Sequence, residues 1–331
     1  MALNLADAGN KFEDLSGIDI KPGDNPYDAL INACSGSPAK IQSLYATHRS
    51  TRNAQQREKF LSLEFKELNI DPILLRLEKP DVEPGFQDPR HCLVFWARPP
   101  SHVVELACHV QTLLQKAAPN LWLMPSHRMH LTTLEIAHSL TAQGIADLVS
   151  SMRPEIPALT GLTFTRRSRL VKPMISYDLS AVALSFLPAS GEEMVSPAAV
   201  PPLLETPIAA QSGQSNGEGT EGDNYTYHHL RRDVFTMASE SVPVGSRYVV
   251  PSAHITLGRY LTQADHETSE QREKWIRTIE EANKWLEDEV WEVKDGEFIG
   301  EWVVGQERGL EARCGTLWYG GGRTLLAGEG F

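Results

Sequence analysis

No two of the four cysteines, Cys34, Cys92, Cys108 and Cys314, stand close together in the chain. A zinc-binding pair and a disulfide framework are therefore not expected, and isolated thiols fit a reducing compartment. An excess of basic residues is also missing. Lys and Arg number 31 against 43 Asp and Glu, a net charge of −12. A general grip on long nucleic acid needs many Lys and Arg contacts to phosphate, so no DNA partner is expected. A small or single-ended nucleotide held by a few local groups remains compatible with that balance. No apolar run is long enough to span a bilayer, so no membrane partner is expected. The first residues, MALNLADAGNKFEDLSG, lack the basic start and apolar stretch of a secretory leader and the Arg-rich character of a transit peptide. Cytosol or nucleus is the expectation.

What is present is an ordinary globular composition, 41% hydrophobic and 22% charged, over 331 residues. Residues 1–88 read as a helical N-terminal extension and linker. One short helix opens at Asn25-Pro26, and another runs from about Pro38 through Ile41, Leu44 and Tyr45 toward Phe60. Turn signals at Lys79-Pro80, Glu83-Pro84-Gly85 and Asp88-Pro89 lead into a main domain at 89–331. That domain opens with a strand, Cys92–Ala97, stopped by Pro99-Pro100, and a helix that Ser101 can cap. A helix is expected at about 141–152, and strands near Leu162–Phe164, Leu170–Ile175 and Val182–Leu187. The stretch 189–224 is rich in Pro, Gly, Ser and Glu, and its QSGQSNGEGTEGDN segment has nothing to bury. It reads as a disordered insertion. A helix over about 225–239 follows. A later helix reaching Leu286 is expected to start at a capping box of Thr262 and Asp265. Closing strands are expected at Trp291–Val293, Phe298–Val304 and Thr316–Tyr319.

Two short segments read as copies of each other: His130-Leu131-Thr132 and His254-Ile255-Thr256. Each lies in apolar, β-branched sequence of strand length, after a proline. Side chains alternate faces along a strand, so each imidazole would share a face with a hydroxyl while Leu131 or Ile255 is buried behind. Imidazoles titrate near neutrality and suit acid–base work, and hydroxyls donate to phosphate oxygens. The bare pattern His-x-Ser/Thr is weak. It recurs at His48-Arg49-Ser50 and His266-Glu267-Thr268, in polar sequence that reads as helical, where the alternation does not apply.

PSHRMHLTTLEI and VVPSAHITLGRYL resemble the paired His-x-Thr motifs of the two-histidine (2H) phosphoesterases, which include 2′–5′ RNA ligase-like proteins and cyclic nucleotide phosphodiesterases. CLVFWARPP and the C-terminal GTLWYGGG are similar to that family too. The likeness spans roughly 91–190 and 225–325. It implies an α+β, bilobal fold, with two antiparallel sheets lining a central cleft and helices outside. It implies hydrolysis, without metal or other cofactor, of a 2′,3′-cyclic or related cyclic nucleotide phosphate, or of a phosphodiester at an RNA 2′ or 3′ end. His130 and His254 would be the acid and base, in an order the near-symmetry leaves open, and Thr132 and Thr256 would hold the phosphate. The rival expectation is a nucleotide- or RNA-end-binding protein without turnover, with a protein partner on residues 1–88.

Four further residues are candidates for substrate contact. Arg128 shares strand parity with His130, and Tyr260 with His254; a rim arginine and a core tyrosine are the blander readings. Trp318 and Tyr319 lie in the final segment that the family brings near the cleft, where at least one serves packing. Arg259 has the opposite parity and reads as a structural ion pair. His228-His229 does not make a metal site, since adjacent helical residues face apart and no ligand stands at the right spacing. Gly320-Gly321-Gly322 lacks the following helix of a phosphate loop and reads as a turn.

Overall fold

The computed structural model describes residues 17–18, 25–195, 223–245, 249–294 and 296–331. Most of the expected insertion, 196–222, lies outside the described residues.

Every strand pairing in the sheet is antiparallel, in an α+β fold. The strands are β1 (His91–Ala97), β2 (Trp122–Leu123), β3 (Leu131–Leu140), β4 (Arg169–Tyr177), β5 (Ala181–Pro188), β6 (Ala253–Arg259), β7 (Trp302–Val303), β8 (Leu310–Gly315) and β9 (Arg323–Ala327). Their order is β7-β4-β5-β6-β3-β1-β8-β9, with β2 on β6. The two expected sheets are thus halves of one sheet. They meet at a single residue pair, Leu131 with Ile255, where β3 and β6 touch and then diverge. Arg231 fills the wedge between them. Fully buried, it donates from Nε to the Thr133 carbonyl and from Nη1 to the Val250 carbonyl.

The helices are α1 (Pro26–Ala33), α2 (Pro38–Leu61), α3 (Pro72–Glu78), α4 (Ser101–Ala117), α5 (Ala142–Met152), α6 (Ile156–Thr165), α7 (Tyr227–Ser239) and α8 (Ser269–Glu289). Tyr27, Ile41, Tyr45 and Phe60 from α1 and α2 lie in the same apolar core as the strands and the remaining helices. Along α2 the buried positions fall at helical spacing: Ile41, Tyr45, His48, Arg49, Gln56 and Phe60. That stripe is apolar at its ends and polar in its middle.

Several expected elements take another form. Leu162–Phe164 belongs to α6, whose Ile156, Leu159, Thr160 and Thr163 are buried at spacings of three and four. A short apolar run does not by itself tell helix from strand. The long C-terminal helix α8 is capped by Thr268 and Gln271, not by Thr262 and Asp265. The first residue of α4 is Ser101, and Pro100 holds the cap position without a side-chain bond. Neither 291–293 nor 316–319 forms a strand. The second lies in the turn between β8 and β9, where Gly315 at the end of β8 and Gly320 and Gly322 in the turn have positive φ.

Candidate active site

Pairing of Leu131 with Ile255 sets the two His-x-Thr triplets antiparallel, side by side. His130 then flanks Thr256, and Thr132 flanks His254, about a local two-fold centred on that pair. Leu131 and Ile255 are buried in the helix-side core, so the four flanking residues, all half-buried, face the other way. This is the juxtaposition that strand alternation predicts.

The floor on the β1 side comes from Trp96, which pairs with Thr132. Its ring stacks on the His130 imidazole, with centroids 3.7 Å apart and planes 16° off parallel. Cys92, Val94 and Trp96 form a small cluster with Leu317, and Trp318 packs on it. The guanidinium groups of Arg98 and Arg313 lie 5.3 Å and 5.0 Å from the Trp96 ring centre, and Glu311 pairs with Arg98 at 2.9 Å.

On the other side His254 and Thr256 line a cleft roofed by α2, with Arg49, Arg52 and Arg259 on its walls and Asp178 as a carboxylate among them. Ser185 and Ala183 of β5 stand directly opposite His254 and Thr256. Arg52 pairs with Asp178 at 2.7 Å.

Both imidazoles are oriented from behind. His130 donates from Nδ1 to the Arg128 carbonyl at 2.8 Å, which leaves Nε2 with its lone pair. His254 Nδ1 lies 3.0 Å from Ser252 Oγ. Burial pushes the His130 pKa down to about 3, partly offset by the Arg128 carbonyl; Arg98, His254 and Arg313 lower it further. Burial, then Arg52 and Arg231, push His254 down to about 4. Both values favour the uncharged ring at neutral pH.

The other expected contacts divide. Arg128 lies in a 3₁₀ turn at Ser126–Arg128 and not in β3, and it meets His130 through its backbone carbonyl. Tyr260 is not a stacking platform. It is 2% exposed and packs edge-on against His266 and Trp275 in the core. The cause is a β-bulge at Leu257: β5 pairs Ala183 with Thr256 but Val182 with Gly258. One extra residue inverts the faces beyond it, sending Tyr260 inward and Arg259 to the cleft. The carbonyl of Leu257 is held by Met124 N–H and the side-chain amide of Gln111. A Cβ on Gly258 would stand 2.7 Å from the Trp122 carbonyl oxygen, so β2 can pass only over glycine. Arg259 does make the expected ion pair, with Asp71 at 3.6 Å. Tyr319 is buried, its hydroxyl shared between Asp71 at 2.7 Å and Arg90 at 3.0 Å. It ties the C-terminal turn to the rim. Trp318 lies on the cleft-side cluster with the Arg90 guanidinium 4.3 Å from its ring centre. His228 and His229 face apart, one toward Tyr45 and the other into the cap of α7.

The arginines of α2 were absent from the sequence-based expectations. The signal was there: His48, Arg49 and Arg52 continue the buried stripe of Ile41 and Tyr45 where apolar residues belong.

No family model and no curated protein matches this chain. Among solved structures, it is similar to TT0787 of Thermus thermophilus, at 14% identity over 67% of this chain and 87% of that one, TM-score 0.34. It is also similar to Kluyveromyces marxianus Usb1, at 13% identity over 72% and 98%, TM-score 0.36. The same protein with uridine monophosphate gives 12% identity, 72% and 97%, and a TM-score of 0.35. Likeness at that level leaves function to be argued from the site's own geometry.

Proposed function

We propose that this chain is a two-histidine phosphodiesterase that hydrolyses a 2′,3′-cyclic or related cyclic nucleotide phosphate, or the terminal phosphodiester of an RNA end, without a metal. The observation that carries this reading is the antiparallel setting of His130-Leu131-Thr132 against His254-Ile255-Thr256 about one strand pair. A phosphate centred there meets an imidazole from each side and a hydroxyl beside each imidazole.

The chemistry needs one imidazole to take a proton from water and the other to give one to the leaving ribose oxygen. In-line attack needs these on opposite sides of phosphorus, a requirement that the antiparallel pairing of the two triplets supports. Thr132 and Thr256 would donate to the non-bridging oxygens as charge builds there. Burial favours the neutral form of both rings, so the acid must gain its proton as the anionic phosphate enters. An opposite charge beside an imidazole favours its protonated form. Trp96 beneath His130 offers a π-face to the resulting imidazolium. On the His254 side Arg52 and Arg259 are each held by a carboxylate, Asp178 and Asp71, so they offer hydrogen-bond donors at the cleft wall more than net positive charge.

The test is incubation of the intact protein with nucleoside 2′,3′-cyclic phosphates and excess EDTA, with the products separated. A 2′- or 3′-monophosphate accumulating over many turnovers is expected. Stoichiometric binding with no product would replace the hydrolase with a nucleotide-binding protein. Loss of turnover on chelation would refute the metal-independent route.

A further inference from the structure

One cation on the cleft wall is unused by that chemistry. Arg49 of α2 is 7% exposed, yet among the described residues no carboxylate lies within ion-pair distance of it. Its Nη1 donates to the carbonyls of Lys172 at 2.8 Å and Ser185 at 3.3 Å. Its Nε is buried and has no partner among the described residues. Two other buried arginines show what a settled guanidinium looks like here. Arg169 is neutralised by Asp223 and Glu301. Arg231 has Nε, Nη1 and Nη2 each on an oxygen. Arg49 has neither arrangement: beyond the two carbonyls it has the ring of Trp291, 5.7 Å from its guanidinium carbon, and no carboxylate among the described residues. An unpaired buried charge is costly, and burial alone drives the Arg49 pKa downward. An anion entering the cleft would remove that cost.

The position of Arg49 says which anion. Ser185, whose carbonyl it holds, is the residue opposite His254 in the β5–β6 ladder. Lys172 lies one strand further out, on β4. The reacting phosphate belongs at the seam of β6 and β3, on the other side of His254. From that seam to β5 is about one and a half strand spacings, roughly 7 Å. That compares with the reach from one phosphate to the next along a nucleotide chain. Arg52, one turn along α2, is already matched by Asp178 and does not compete.

We propose that α2 supplies a second anion subsite, built on Arg49, which takes the phosphate adjoining the one held between the histidines. The preferred substrate is then a nucleotide chain end carrying two successive phosphates, and an isolated cyclic mononucleotide fills only half of the site. Guanidinium is the side chain suited to this task, since its planar fork matches phosphate oxygens two at a time. This inference rests on the reading of the histidine pair as the reacting-phosphate site.

The experiment is a calorimetric titration of the intact chain with uridine 3′-monophosphate and uridine 3′,5′-bisphosphate, repeated on Arg49→Met. The unmodified protein should prefer the bisphosphate by about tenfold or more, and Arg49→Met should bring the ratio close to one. Equal affinities in the unmodified chain, or an unchanged ratio in the variant, would overturn the proposal. Arg49 also pins two carbonyls, so the variant can fail to fold. A second readout needs no variant: the Arg49 Nε–H resonance should shift on adding bisphosphate and not on adding monophosphate. No shift with either overturns the proposal. Binding and turnover separate the two readings. A bisphosphate preference without any hydrolysis would refute the hydrolase and leave the subsite standing. Hydrolysis without that preference would do the reverse.

Discussion

His130 and His254 sit in similar but unequal surroundings, one on a tryptophan face with its tautomer fixed by a carbonyl, the other beside a serine hydroxyl. Replacing either by alanine should lower turnover by about 10²–10⁴-fold, the usual worth of one acid–base group, with little change in thermal midpoint. Thr132→Ala and Thr256→Ala should cost less, because water can replace a lost hydroxyl. Steady-state rates beside melting curves check both statements. The depressed pKa values give the pH dependence its sign. The productive form has one ring protonated, and in the free protein it peaks between about 3 and about 4. Bound phosphate raises the acid's pKa, so the kcat profile should lie at higher pH than that of kcat/KM. From pH 7 down to 5, kcat/KM should climb more steeply than kcat. A kcat/KM that rises into alkali would refute the protonation scheme. These same histidines should weaken the fold in acid. Their folded pKa values lie below the unfolded 6.5, so stability falls as pH drops below that value and levels off beneath the folded ones. At this scale the triplets were legible from spacing and β-branching alone. The arginines were not: Arg49 and Arg52 continue the stripe of α2 but pass for a solvated face, and Arg98, just after β1, and Arg313 in β8 share no motif with them.

The element that most limits what sequence can reveal is the bulge in β6. Alternation places His254 and Thr256 correctly, then fails at Leu257, where the chain gains one residue against β5. Nothing in HITLGRY marks that extra residue except Gly258, whose role appears only once β2 is seen crossing it. The bulge depends on Gln111 of α4, buried and bridging the Met124 and Leu257 carbonyls. Gln111→Leu should destabilise the fold by about 1–3 kcal/mol, the cost of leaving buried carbonyls short of a donor. It should also lower kcat/KM by releasing Arg259 from the cleft wall. Chemical denaturation and rates on the same preparation check this; unchanged values in both would mean that the bulge holds itself. Element α2 shows a different failure. Its helix was legible from Pro38, Ile41 and Tyr45, but its docking across β4 and β5 was not, since a polar middle reads as a solvated face. Leu162–Phe164 was misread for want of length, three apolar residues being too few to show a period.

Over the whole molecule, one residue pair carries the relation between the halves, and the surrounding packing must hold it. Arg231 wedges the divergence of β3 and β6, and Tyr319 with Asp71 closes the rim. The expected insertion is bound at both ends. Gly191 N–H and Arg169 meet Asp223, and Val195 N–H and Arg169 meet Glu301. Arg169→Ala should therefore cost about 3–5 kcal/mol by leaving two buried carboxylates unpaired. Replacing 196–222 by a short Gly/Ser linker should leave the melting temperature within a few degrees, since loop length alone adds little closure entropy. Doubling of the α+β unit was legible in the element order, whereas the merging of two sheets into one depends on a contact between Leu131 and Ile255, far apart in the chain. The most direct test of the account is the rate of nucleoside 2′,3′-cyclic phosphate hydrolysis, in excess chelator, by the unmodified chain, His130→Ala, His254→Ala and the double variant. If the two imidazoles act on one phosphate, each single change costs nearly as much as both together. A single variant that retains the unmodified rate would contradict it.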